Sequence, residues 1–147
     1  MTVYNQFGSR SGMVEAVSDD LARRGGIQRL PEAFQVGDAL AGTEILIEVF
    51  VRLWAAERLV VSGLRAISAL DPELAHGDRN QRRRQALLVL LGGLVREKRL
   101  APEEQEATAD LLLVLTSFEA YESLSAGRDT EAVVALVKGS ARAILGA

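Results

Sequence analysis

Few residues of this sequence have the types and the spacing that catalysis requires. Its 147 residues include one histidine, His76, and no cysteine, so the sequence offers neither a histidine/cysteine metal set nor thiol chemistry. Glu103, Glu104 and Glu106 follow Pro102 at a predicted helix start, where acids interact favourably with the helix dipole. We therefore interpret them as helix-start residues and not as a general acid/base pair. We predict no enzyme activity, no metal site and no cofactor.

The arginines between positions 79 and 84 are the other group able to do chemistry. Arg79, Arg82, Arg83 and Arg84 could meet phosphate or a partner, because guanidinium groups bind oxyanions well. The simpler interpretation, which we prefer, is a solvated helix face. His76 lies on the polar segment just before them, and we expect it at the surface, with a role in a pocket as the alternative.

Composition is typical of a soluble globular domain. Hydrophobic residues make up 48% and charged residues 25% of the chain, and a chain of this length is expected to form one domain with a sizeable core. The net charge of −3 provides no overall basic field to attract nucleic acid. No signal peptide is visible, and the longest apolar run, 86–95, is far shorter than the ~20 residues that span a bilayer. We expect a cytoplasmic protein with no membrane partner.

Helical periodicity, capping residues and glycine or proline breaks predict an all-α helical bundle. Gly8 and Ser9 form the turn before the first long helix, in which Met13, Val17 and Leu21 share an apolar stripe. The predicted helices cover residues 9–24, a short turn at 27–34, 38–55, 57–70, 79–99 with a weaker start at 72, 101–125 and 129–145.

Three of these helices carry patterns that predict how they pack. In 38–55, Glu44, Glu48 and Arg52 are spaced by four residues, which indicates a narrow solvent-facing stripe with Glu48 and Arg52 paired. Polar groups aimed into a cavity are the alternative. Segment 86–95 is apolar nearly all round and is predicted to be buried centrally. In 57–70 the predicted apolar side consists of Leu59, Val60, Leu64, Ile67 and Leu70.

The most specific pattern in the chain is its N-terminal stretch, Thr2-Val3-Tyr4-Asn5-Gln6-Phe7-Gly8-Ser9-Arg10. This pattern resembles the end of the helix-turn-helix domain in TetR-family transcriptional regulators. There the recognition helix ends in a Thr-x-Tyr-x-x-Phe-like sequence followed by a small residue, serine and a basic residue. Further segments are similar to recurring parts of the family's ligand-binding domain: Asp71-Pro72-Glu73-Leu74, the arginine-rich segment after it, and Leu115-Thr116-Ser117-Phe118-Glu119-Ala120-Tyr121.

The resemblance implies an all-helical domain that encloses an effector pocket and dimerises through its last two helices. In the family, effector binding changes the separation of the two DNA-reading heads. On this basis residues 1–25 are a remnant of the helix-turn-helix domain with the connecting helix, and residues 26–147 are the ligand-binding and dimerisation domain. Thr2, Tyr4 and Arg10 match family positions that contact DNA, mostly its phosphates, which position a protein without specifying sequence.

The family carries two further helices before this point, and this chain begins inside the third. The supporting helix and the base-reading residues are absent from these 147 residues, so we expect them not to bind a specific operator by themselves. Operator DNA is expected as a partner only together with the two further helices. A late start assignment, a deliberate truncation and a natural headless form all remain open.

Apolar helices between residues 38 and 121 could surround an effector cavity. The same residues at the same spacing would also fill an ordinary core, so that alternative stays open. The effector is expected to be small and largely apolar, and the sequence does not identify it. The residues predicted to line the pocket are Phe50, Trp54, Leu87, Leu91, Phe118 and Tyr121.

The last helix presents two different sides. Val133, Val137 and Ile144 form a bulky side suited to the chain's own core, and a separate ridge of small residues would let another helix approach closely. We therefore predict a homodimer built from the last two helices of each chain, with an ordinary two-sided core helix as the alternative. The predicted dimer contacts are Leu112, Ala132, Ala135, Gly139 and Ala143.

These observations together predict a TetR-like transcriptional regulator, a repressor, whose helical domain binds a small effector and dimerises. The alternative is a headless ligand-binding or protein-interaction module with no role at DNA. An all-helical enzyme would require convergent polar residues, which the sequence does not show.

Overall fold

The described part of the chain is built from α-helices. The computed structural model describes residues 10–71 and 77–147, and no β-strand occurs in these ranges, which confirms the predicted all-α fold. Short 3-10 turns at Ile27–Arg29 and Pro102–Glu104 connect helices. The helices are α1 (Arg10–Arg24), α2 (Glu32–Gln35), α3 (Ala39–Ala56), α4 (Arg58–Leu70), α5 (Gly77–Arg96), α6 (Gln105–Leu115), α7 (Phe118–Leu124) and α8 (Thr130–Leu145).

Helix α3 lies at the centre of the bundle and contacts α1, α2, α4, α5, α7 and α8. The carboxylate of Asp38 caps its N-terminus by accepting a hydrogen bond of 2.9 Å from the backbone N–H three residues later. Leu46 and Ile47 are fully buried. Gly42 lets α2 approach closely, because a Cβ atom at this position would overlap the carbonyl oxygen of Ala33.

Helix α5 has most of its apolar half buried, and Leu87 and Leu91 have no exposed surface, whereas Val89 of the segment predicted to be buried is 58% exposed. The helix ends at residue 96, earlier than the predicted residue 99. Lys98 adopts a left-handed backbone conformation with φ 59°, and the N–H of Arg99 turns back to the carbonyl of Leu94 at 2.8 Å. This pattern of hydrogen bonds satisfies the last carbonyls and closes the helix.

The prediction of a single helix over 101–125 is wrong, because α6 ends at Leu115 and α7 starts at Phe118. Between them, Thr116 Oγ1 donates a hydrogen bond of 2.8 Å to the carbonyl of Leu112. Ser117 Oγ accepts one of 3.1 Å from the backbone N–H three residues later. Serine and threonine compete with the backbone for helical hydrogen bonds, and a serine cap starts the new helix. The break allows α7 to contact α3.

The polar stripe of α3 packs against α8 and not against open solvent, which corrects the predicted arrangement. Glu48 accepts hydrogen bonds of 3.0 Å from Arg52, its predicted partner, and from Lys138 of α8. Glu44 pairs with Arg142 of α8. The hydrogen bond from Lys138, followed by the one from Arg52, lowers the pKa of Glu48 below its ordinary value of 4.5. The carboxylate therefore stays charged at this half-buried contact.

The bounds of α8 agree closely with the sequence prediction. Asp129 caps its N-terminus through a hydrogen bond of 2.8 Å from the backbone N–H of the third residue along, and Gly146, with φ 68°, ends it. Val133 and Val137 are buried in the chain's own core, whereas Ile144, predicted to lie with them, is partly exposed.

Helix α4 departs furthest from its predicted packing. Leu59 and Leu70 belong to the predicted apolar side but are 82% and 89% exposed. Of that side, Leu64 packs against the core, and the one buried residue of the helix is Val61. The prediction of a buried apolar side is therefore wrong for most of its residues.

Candidate functional site

A cavity of about 480 Å³ opens between α1, α3, α4 and α5. Its volume lies within the range of small-molecule binding sites. The wall has two parts of different chemistry, one apolar and one rich in arginine. The apolar part includes Leu21, Phe50, Leu53, Trp54, Val61 and Leu64. The arginines of the wall are Arg23, Arg65, Arg79, Arg82 and Arg83.

A row of aromatic side chains forms the α3 side of the cavity and continues into the core. Trp54 Nε1 donates a hydrogen bond of 2.9 Å to the backbone carbonyl of Thr116, which fixes the orientation of the indole ring. Its ring centroid lies 6.0 Å from that of Phe50 and 5.8 Å from that of Phe118, which it meets edge-on. Tyr121 follows at 6.4 Å from Phe118.

The structure brings only some of the six predicted pocket residues to the cavity. Phe50 and Trp54 line it. Phe118 is buried behind Trp54, at the centre of the aromatic row, and lies in the core. The other three residues predicted to line the pocket also lie in the core and not in the cavity wall: Leu87, Leu91 and Tyr121.

Helix α1 forms a second wall of the cavity through Ser18 and Leu21. Arg79 of α5 holds this helix in place, because its Nη2 lies 2.9 Å from a carboxylate oxygen of Glu15 and 2.7 Å from one of Asp19. Leu21 is buried in the same core as α3 and α5. Asp19, Leu21 and Arg79, which take part in these contacts, also line the cavity.

Arg83 is the most unusual side chain of the cavity wall, with 5% of its surface exposed. Its Nη2 donates a hydrogen bond of 3.2 Å to the backbone carbonyl of Leu113. The guanidinium carbon lies 5.4 Å from the centre of the Phe50 ring, a distance at which a cation interacts favourably with the ring face. Burial, and then repulsion from Arg65, lowers the pKa of Arg83 to about 10. The side chain is therefore still charged at neutral pH.

The predicted solvated face over residues 79–84 is wrong for three of the four arginines. Arg79 is tied to α1, Arg83 is buried, and Arg84 pairs with Asp110 and Glu106 of α6. Arg82 is the exposed member of the set. A signal for the burial of Arg83 is present in the sequence, since it stands four and eight residues before two leucines of the buried stripe of α5 and so shares their face.

The small-residue ridge of α8 lies on the surface of the chain. Exposed apolar residues of α6 accompany it, with Leu111 53% and Val114 64% exposed. Leu112, one of the predicted dimer contacts, is fully buried in the chain's own core, and its neighbour Leu111 is the exposed residue. The ridge residues that are exposed are Ala132, Ala135, Gly139 and Ala143.

Several predicted residues lie outside the described ranges. These are Thr2, Tyr4 and His76, together with the side chain of Arg10. Within residues 10–71 and 77–147, no group of histidine and acidic side chains is placed to hold a metal ion. Among the helices of those two ranges, none has the length and apolarity needed to cross a membrane.

Comparisons with protein-family models, with curated proteins and with solved structures find no match to this chain. Membership of the TetR family therefore stays a prediction from the sequence pattern. Two features of the molecule bear on its function, the cavity beside α1 and the exposed face of α6 and α8.

Proposed function

We propose that this chain is the effector-binding and dimerisation part of a TetR-like transcriptional regulator, with the cavity as the effector site. The observation that carries the proposal is the position of α1. This helix forms a wall of the cavity through Ser18 and Leu21. Its N-terminal end follows directly on the stretch that resembles the DNA-contacting segment of the family. A molecule in the cavity would therefore contact the helix that leads to that segment.

Because α1 is closely packed against the core, contact with an effector would affect the position of this helix. Leu21 is buried in the core, and Arg79 ties the preceding turns of α1 to α5. Because protein interiors are packed to near-crystalline density, an added molecule changes the preferred position of the elements around it. In the proposed function, an effector favours one position of α1 and so changes how the segment before it is presented. Operator binding is proposed only for a chain that also carries two further helices before this segment.

Dimerisation is proposed through the exposed face of α6 and α8. Leu111, Val114 and Leu136 place bulky apolar side chains there, beside a ridge of alanine and glycine that allows a second helix to come close. An exposed apolar face of this kind is typical of an interaction site. A twofold dimer would pair the face with itself.

Light scattering of the purified chain tests this dimer. We expect a mass of twice 15.9 kDa at micromolar concentration. Ala135→Arg places a long charged side chain on the ridge and should shift the protein to a monomer. Ala69→Arg is the matched control, because Ala69 is an exposed alanine of α4, and it should leave the dimer intact. A monomeric wild-type chain, or equal dissociation of both variants, would contradict the proposed interface.

The effector site is tested by ligand binding at Trp54. The chain has one tryptophan, and it lines the cavity, so its fluorescence is a probe of this site. Binding of a small apolar compound should change the emission of Trp54 and the hydrogen exchange of the α1 amides together. Binding that leaves the exchange of α1 unchanged would favour the alternative, a ligand-binding module with no role at DNA.

A further inference from the structure

The positive charge of Arg83 in the cavity wall is attracted by the carboxylate of Glu119, but that carboxylate pairs directly with Arg65 and not with Arg83. Arg79 has the carboxylates of α1, and Arg65 lies 3.0 Å from Glu119. No acidic side chain in residues 10–71 and 77–147 forms an ion pair with Arg83. A buried charge without a directly paired opposite charge is costly to a fold, so its position in a cavity wall requires a physical reason.

The contacts that Arg83 does make hold its position but leave most of its binding capacity unused. Its hydrogen bond to the carbonyl of Leu113 uses one of the five N–H donors of the guanidinium group. Its Nε is buried with no partner among the described residues, and so is the hydroxyl of Ser18. Both residues line the cavity and are about nineteen-twentieths buried. Together with the Nε of Arg79, three buried polar atoms of the cavity wall thus lack the partners that buried polar groups ordinarily have.

We propose that the cavity binds an amphipathic anion, a molecule with an apolar body and one carboxylate group held by Arg83. This inference rests on the proposed effector role of the cavity and specifies the chemistry of the effector. The carboxylate would accept charge-assisted hydrogen bonds from Arg83, in the wall to which Ser18 also belongs. The apolar body would lie against the wall that Phe50, Leu53 and Trp54 form.

The number of charges and the character of the wall both select this class of ligand. Arg83 is the one buried arginine without an acidic partner in the described cavity wall, so it balances a single negative charge. A phosphate monoester brings nearly two charges, of which Arg83 would balance one beside an apolar surface; the second would have to reach Arg82 at the exposed part of the wall. A neutral apolar molecule would fill the same space but would leave Arg83 without a directly paired counter-charge.

The test compares fatty acids with their uncharged amides. Octanoate and decanoate are titrated into the full chain at neutral pH, and so are octanamide and decanamide, with Trp54 fluorescence and calorimetry as readouts. Each acid and its amide have nearly the same size and shape, so their difference isolates the charge. A charge-assisted hydrogen bond in a buried site adds enough affinity for at least about a tenfold preference for the acid.

Three variants assign that preference to one side chain. Arg83→Met should bring the acid and the amide to equal affinity, and Arg83→Lys should keep part of the preference because it keeps the charge. Arg96→Met is the matched control, since Arg96 is an exposed arginine of the same helix that does not line the cavity, and it should keep the full preference. Thermal unfolding of each variant checks that it is folded.

The outcomes separate this inference from the proposed function. Equal binding of acid and amide by the wild-type chain would overturn the anion inference and leave the cavity as a site for neutral apolar effectors. Failure of all four compounds to bind up to their solubility limits would count against both. If Arg96→Met removed the preference as completely as Arg83→Met, the role assigned to Arg83 would be wrong.

Discussion

Replacing Arg83 with methionine should make the unliganded protein more stable. Each pKa unit corresponds to about 1.4 kcal/mol, so lowering the pKa of Arg83 from above 12 to about 10 costs the folded state roughly 3 kcal/mol at neutral pH. The hydrogen bond to Leu113 offsets about 1.5 kcal/mol of this, and the contact with Phe50 offsets about 0.5 kcal/mol. Arg83→Met removes the charge penalty together with the two favourable contacts. The difference between the penalty and these contacts predicts a gain of about 1 kcal/mol in the free energy of unfolding.

Urea unfolding followed by Trp54 fluorescence measures this gain, at one fixed protomer concentration because the proposed dimer makes stability depend on it. A gain of this size corresponds to a rise of about 2–4 °C in Tm for a domain of this length. For stability, Arg82→Met is the control. It removes an exposed charge and should change stability by less than about 0.5 kcal/mol.

The dependence on pH gives a second measurement of the same cost. The pKa of Arg83 is lower in the folded chain than in the unfolded chain. Folding therefore carries a free-energy penalty at every pH at which Arg83 is protonated in the folded chain. That penalty is complete below pH 10 and disappears as the pH rises above it. The advantage of Arg83→Met should therefore be constant near neutral pH and shrink above pH 10. A variant less stable than wild type by 1 kcal/mol or more would refute the reasoning and make Arg83 a structural residue.

Two further predictions concern helix packing and acid stability. Gly42→Ala should destabilise the fold by roughly 1–3 kcal/mol, because the added Cβ would overlap Ala33. The Cβ of Gly63→Ala would meet open space, so this variant should stabilise α4 by about 0.4–1 kcal/mol. Urea unfolding of both variants measures this contrast. Lys138 and other partners lower the pKa of Glu48, so its contribution is complete above pH 4.5 and is lost as the pH falls. Glu48→Gln should therefore cost about 1 kcal/mol at pH 7 and lose less stability than wild type between pH 5 and pH 3.

Local signals in the sequence were sufficient to predict most helix ends. Asp38 and Asp129 cap the helices that follow them, because an aspartate at that position satisfies free N–H groups whatever the rest of the chain does. Gly146 ends the last helix for an equally local reason. The all-α fold follows from such signals together with helical periodicity.

Packing between distant segments was harder to predict. The apolar pattern of α4 predicts a buried side, yet Leu59 and Leu70 are exposed, because burial depends on which helices lie opposite and no local pattern specifies them. The same holds for the pocket: Leu91 and Phe118 have the right character for its wall, but both are enclosed in the core. Arg83 was missed because its polarity indicated solvent, although its position continues the buried leucine stripe.

Arg79 and Arg83 lie one turn apart on α5, which relates the proposed anion site to the proposed movement of α1. Arg79 uses Glu15 and Asp19 to hold α1. A ligand carboxylate at Arg83 would add a negative charge roughly 6 Å from the side chain of Arg79, because this is the spacing of side chains one turn apart. At an effective dielectric constant near 20, such a charge contributes on the order of 2–3 kcal/mol, comparable with the coupling energy of ordinary allosteric effectors. It would draw Arg79 away from α1, whereas an amide of the same shape would not. Both ligands would thus occupy the cavity and change hydrogen exchange in α1, but the acid should increase it more than the amide does.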